Sequence, residues 1–348
     1  MSNHPNFNKL TTLKEYQHGS IIKRQLLGPL TLYVATTGSA TGDGSIDNPF
    51  NSLQTAFDYL RLVDGNNQDL TINVADGTYS GHNRWYVTGH WNTVHIKGND
   101  ATPANVVLTL TEYAVGISIQ GPVYMWGLFI SGFTFQGSVP GGNNGVGIAL
   151  YGFNGYANIC DRSYGGALRF VDMAGMFDFA NCPGMIDVYS ALVINGGLAA
   201  GYSVIAIHDV AYFYMDSPTI TLDENITFNS SCAFATIWGR CIFDWYTNSS
   251  IVGGFTFTGS DYRITNGSVD VINRHTPAVG TTRTVTEGGA RFRTGGYVIP
   301  TSTVAALPTG RGLVPGATLY VSNESGGACL AFCDGTNWRR VTDRAIVS

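Results

Sequence analysis

The feature that most limits the fold is how closely the chain's apolar segments follow one another. Between residues 168 and 272, runs such as Leu168-Arg169-Phe170, Phe177-Asp178-Phe179, Ile186-Asp187-Val188 and Tyr212-Phe213-Tyr214 begin mostly seven to nine residues apart, separated by Gly, Asn or Asp. That spacing leaves no room for intervening helices. Three such segments make a unit of about 22 to 25 residues, which predicts one winding of a parallel β-helix with three strands per coil. Each coil would bury its inward side chains only because the coils about 4.8 Å above and below complete the hydrogen bonding and the core. The segment from Gly132 to Ser138 (GFTFQGS) returns from Gly254 to Ser260 as GFTFTGS, close to five such units later. Chance in a Gly-, Phe- and Thr-rich chain is the alternative.

Composition points the same way. Charged residues make up 12% of the 348 and 44 are Gly, against roughly 25% charged and 7% Gly in ordinary globular chains. Helix bundles and coiled coils are disfavoured. A net charge of −5 with only four lysines (Lys9, Lys14, Lys23, Lys97) offers no basic patch for a phosphate backbone, so no nucleic-acid partner is expected. No apolar run reaches membrane-spanning length and residues 1–27 do not read as an export signal, so no membrane insertion is expected either.

Three regions are expected: a Lys-rich tail over 1–29, a body over 30–299, and a small β module over 300–348 that follows a Pro/Gly/Thr-rich stretch. One helix stands out. Leu53, Ala56, Phe57 and Leu60 fall on one face, Ser52 can cap the first turn and Gly65 can end it. A helix there would cover the exposed first coil, or else serve as a crossover in an α/β fold. In the last region, Leu319-Tyr320-Val321 and Leu330-Ala331-Phe332 read as two strands joined by a Gly-rich turn, with Trp338 packed over them.

The opening of the body, Tyr33-Val34-Ala35-Thr36-Thr37-Gly38-Ser39, Gly42-Asp43-Gly44, Asn48-Pro49-Phe50 and Leu53-Gln54-Thr55-Ala56, resembles the N-terminal cap of pectin-lyase-like right-handed parallel β-helices of phage tailspikes and tail fibres. Bacterial carbohydrate-active enzymes share that opening. The stretch from Gly316 to Asp343, with Leu307-Pro308-Thr309-Gly310 upstream, resembles a small β module that ends many phage tail-fibre proteins. The resemblance implies a virion appendage, a homotrimer assembled in the host cytoplasm, mounted on a tail or baseplate protein through residues 1–29. It would bind host surface polysaccharide, three chains adding avidity to weak contacts. A polysaccharide lyase or glycoside hydrolase on the same scaffold, and a head-attached fibre, are the alternatives.

Binding sugars needs aromatic faces and fixed polar groups on the outward side of the strands; Trp126, Trp238, Trp245 and Tyr246 are the candidates. Hydrolysis needs two carboxylates at a set separation. Asp187 and Asp209 lie 22 residues apart and would stack on consecutive coils; Asp172, Asp178, Asp216, Glu224 and Asp244 are the rivals. By the same spacing Cys160 and Cys182 would stack as two thiols without a bond, while Cys329 and Cys333, four apart on a strand, are too distant to pair. Asp43 and Asp47 carry turn chemistry rather than a calcium loop, and no metal or cofactor is expected.

Overall fold

The structure is a computed structural model. It describes residues 13–18, 21–87, 89–138, 145–159, 167–188, 192–195, 203–215, 219–222, 226–228, 233–245, 250–252, 255–257, 260–265, 269–273, 290–294, 301–307, 315–316 and 318–347. The chain is mostly β and divides into two compact units, Met1–Phe292 and Arg293–Ser348. The division falls a few residues before the expected 299/300 boundary.

Most of the first unit is built from parallel sheets that grow in chain order. A thirteen-stranded sheet follows a main path through Leu30–Ser39, Gln68–Val74, His90–Lys97, Val115–Ser131, Val146–Ile159, Gly175–Val188, Ser203–Met215, Cys241–Trp245, Val269–Asn273 and Ala290–Thr294. A seven-stranded sheet takes the segments in between: Gly77–Ser80, Val106–Leu110, Thr134–Gly137, Leu168–Val171, Leu192–Asn195, Thr219–Leu222 and Ser250–Val252. From residue 68 to 252 the chain thus returns repeatedly from one sheet to the other.

Strand registers show why the sequence alternates as it does. Leu32, Ile72, Ile96, Ile130, Ile159, Val188 and Met215 pair in succession along one column. Trp85, Ile119, Leu150, Phe179, Ile207 and Ile237 form another. Every member of both is buried. Because strand side chains alternate faces, each inward residue rests on the inward residues of its neighbours, and burying each is worth about 1.5–3 kcal/mol. Aromatic rings continue the packing from sheet to sheet: Phe135 stacks on Phe170 at 5.3 Å, and Phe170 meets Phe177 edge-on at 5.3 Å.

Between Val115 and Asn273, paired residues of the main sheet lie 27 to 31 positions apart in sequence. The expected 22 to 25 is therefore too short. Long strands such as Val115–Ser131 contain a bend that the segment count took for a full boundary. In successive strands the bend falls at Gly121, Gly152, Asn181, Asp209 and Gly239, all with positive φ. Only Gly, Asn and Asp adopt that backbone at modest cost, which explains one column of these residues. The Gly132–Ser138 echo does not lie in one column either: Thr134–Gly137 belongs to the seven-stranded sheet, whereas Phe255–Phe257 pairs with Ile226–Phe228 in a separate two-stranded sheet.

At the start of the unit the helix is Leu53–Leu60, with Leu53, Ala56, Phe57 and Leu60 buried and the Ser52 hydroxyl accepting from the Thr55 N–H. Such a cap is worth about 1 kcal/mol. Phe57 stacks on Trp85 at 5.6 Å, and Trp85 meets Trp91 edge-on. The helix ends at Arg61 rather than at Gly65, which instead leaves room for the Trp91 ring. Within the expected tail, Leu13–His18 and Ile21–Leu26 form an antiparallel hairpin whose second strand pairs with Val63–Asp64, and Leu26 is fully buried. Residues 13–26 are thus part of the first unit.

The second unit holds a four-stranded sheet in the order Thr301–Ser302, Thr318–Val321, Cys329–Cys333 and Trp338–Arg340, with the last three antiparallel. Leu319, Val321, Ala331, Cys333, Trp338 and Val347 make its core. The Glu324 carboxylate, buried, accepts from the Gly326 N–H at 2.7 Å and faces Arg340 at 3.6 Å; Arg340 also pairs with Asp343 at 3.0 Å.

Candidate functional site

On the outward face of the main sheet, two successive irregularities open a groove. Gln68 pairs with Trp91 but Leu70 pairs with Val94, so Asp69 faces both Asn92 and Thr93. The Asp69 carboxylate accepts from Asn92 Nδ2 at 2.7 Å, from the Thr93 N–H at 3.2 Å and from Thr93 Oγ1 at 2.6 Å. These bonds, chiefly that from the Thr93 hydroxyl, hold its pKa below the ordinary carboxylate value, and Asp69 stays ionised. One strand further, Met125 pairs with Gly155 and Gly127 with Tyr156, so Trp126 is an extra residue with no opposite number on that side. A bulge of this kind re-aims the side chain it carries. Trp126 is 80% exposed.

The resulting groove encloses about 580 Å³. Trp91 and Met125 are its buried lining, Trp126 and Tyr156 supply aromatic surface, and Asn67, Asn92 and Asn154 supply amides. Gly155 completes the wall because a Cβ there would come within 2.0 Å of the Met125 carbonyl oxygen. The Tyr156 hydroxyl is held from below, donating to Asp187 Oδ2 at 3.1 Å and accepting from Asn158 Nδ2 at 3.2 Å. None of the described lining residues carries a charge.

Beyond the groove the same face carries a repeated phenol–carboxylate contact between successive strands. Tyr151 donates to Asp178 at 2.5 Å, Tyr156 to Asp187, and Tyr212 to Asp244 at 2.8 Å. Hydrogen bonds to an ionised acceptor are the stronger kind. Burial, with the Asp178 contact, pushes the Tyr151 hydroxyl well above its ordinary pKa, so it remains a donor.

Of the residues singled out from sequence, Trp126 lies in the groove. Trp238 lies elsewhere on the outward face, stacked on His208 at 4.0 Å. Trp245 ends the Cys241–Trp245 strand, paired with Met215 and Asn273. Tyr246, Asp216, Glu224 and Cys160 lie outside the described residues. Asp187 does not stack on Asp209. It pairs with Asn158 on one side and Tyr214 on the other, and Tyr214 pairs with Asp244. Asp187 and Asp244 share a column two strands apart, both buried. Asp209 sits at the bend, exposed, accepting from the Arg240 N–H at 3.1 Å. The 22-residue spacing failed because the true offset at that point is 27.

Asp172 occupies a positive-φ turn and Asp178 takes the Tyr151 bond. Asp43 accepts from the Ser45 N–H, a turn contact. Cys182 pairs with Val210, and its buried thiol, pushed up to about 11 by desolvation, approaches the Leu150 and Ala180 carbonyls. Cys329 and Cys333 are both free thiols on one strand. Sequence reasoning missed Asn67, Asn92, Asn154 and Tyr156. A Trp flanked by Met and Gly within an apolar strand was the one signal of this bulge.

No protein-family model, curated protein or solved structure matches this chain.

Proposed function

We propose that the first unit is a right-handed parallel β-helix and that the chain is a phage tail fibre or tailspike protein that binds host surface polysaccharide. The bend at the positive-φ column divides each long strand in two. With the shorter sheet this makes three strands per turn, and right-handed connection is the rule for parallel strands in one sheet. The helix Leu53–Leu60, packed on the first strands, would close the N-terminal end against strand addition. Residues 1–29 would mount the protein on its virion partner, and three chains would assemble into the working unit.

The observation that carries the reading is the groove around Trp126: a solvent-facing indole beside three side-chain amides, the pairing that sugar rings and hydroxyls require. Binding is favoured over cleavage, because Asp187 and Asp244 are buried and each accepts a tyrosine hydroxyl, so neither stands open to a substrate. The test is adsorption of purified protein to cells of a susceptible host. Binding that drops at least about tenfold in Trp126→Ala supports the reading; unchanged binding removes the groove from it. New reducing ends or unsaturated sugars released from host polysaccharide would favour the lyase or hydrolase instead.

A further inference from the structure

Building on the glycan reading above, we infer that the Trp126 groove selects neutral sugars and rejects acidic ones such as uronate- or sulfate-bearing chains. Among the described residues the lining has two indoles, a phenol, a thioether and three amides, with no Lys, Arg or His to receive an anionic group. The carboxylates bonded to the wall are negative: Asn92 donates its Nδ2 to the ionised Asp69, and Tyr156 its hydroxyl to Asp187. A ligand carboxylate accepting the second N–H of that amide would stand roughly 5 Å from the Asp69 carboxylate, where like charges repel. A hydroxyl in the same place meets no such penalty. Stacking on Trp126 and hydrogen bonds to Asn67, Asn92 and Asn154 are likewise indifferent to ionic strength, unlike recognition by surface cations.

The experiment is affinity electrophoresis of the full-length protein through gels containing neutral polysaccharides (mannan, galactan, dextran, amylose) or acidic ones (polygalacturonate, alginate, chondroitin sulfate), at low and high salt. The expected result is retardation by at least one neutral polymer, unchanged between 50 and 500 mM NaCl to within about twofold, abolished in Trp126→Ala, with none by the acidic set. Asn154→Lys places a cation on the exposed rim and is expected to gain retardation by polygalacturonate that vanishes at high salt. Trp126-dependent binding of the wild type to an acidic polymer overturns the selectivity while leaving the glycan reading intact. Retardation by neither set, alongside no adsorption to host cells, overturns both.

Discussion

The two units reach stability by different routes. In Met1–Phe292 inward residues stack on the inward residues of neighbouring strands, so apolar columns run through many strands, and the main ladder is parallel from Leu30–Ser39 to Val269–Asn273. In Arg293–Ser348 a small core is supplemented by polar contacts: Glu324 with Arg340 and the Gly326 N–H, and Asp334 with Arg339 and the N–H groups of Thr336 and Asn337. A repeating ladder can lengthen its core by adding strands, whereas a small antiparallel module has too little interior to do so. The Trp126 groove lies in the first unit, where two irregularities interrupt the ladder.

The largest expected effect breaks a column. Phe179→Ala, with Phe179 fully buried between Leu150 and Ile207, is expected to cost about 3–5 kcal/mol in chemical denaturation. In the second unit, Glu324→Gln keeps the shape but weakens the charge-assisted bonds, and a loss of about 1–2 kcal/mol is expected for unfolding of that unit alone. At the bend, Asp209→Val puts a β-branched residue at φ 49° and is expected to cost about 1–2 kcal/mol, while Asp209→Gly stays within about 0.5 kcal/mol and leaves adsorption unchanged. A selective loss of adsorption in Asp209→Gly would restore a functional role to that carboxylate. Trp126→Ala is expected to change stability by less than about 0.5 kcal/mol, since the ring is mostly exposed.

Acid separates the units further. Asp334 is held down to about 2, chiefly by the Arg339 side chain and then by the two backbone N–H groups. A carboxylate whose folded pKa is depressed contributes stability that is complete above its unfolded value. That contribution is lost as pH falls from there through about 2. Hydrogen exchange of residues 318–340 is therefore expected to accelerate over that acid window before the apolar columns of the first unit respond.

How much of this the sequence carried differs from element to element. The helix was readable because its spacing and its Ser52 cap are local, and the strands because inward and outward residues alternate. The offset between neighbouring strands was not readable, because a bend at a single Gly, Asn or Asp looks in sequence like any other turn. That error propagated to the pairing of Asp187 with Asp209, and Cys182 likewise lies beside Val210. The hairpin Leu13–Leu26 was missed because its place depends on Val63–Asp64, some 40 residues away. In the groove, Trp126 stood out by its chemistry. Asn67, Asn92 and Asn154 did not, since Asn in such a chain ordinarily signals a turn.

The most direct test of the layered account is the strand offset itself. Met185 and Tyr212 are paired neighbours 27 positions apart, while Met185 and Asp209, 24 apart, would be neighbours under the shorter repeat. Oxidative cross-linking of Met185→Cys/Tyr212→Cys and of Met185→Cys/Asp209→Cys, read by peptide mass mapping, distinguishes them, because paired strands bring Cα atoms within disulfide range. The account predicts a bond in the first pair and none in the second; a bond in the second alone would contradict it.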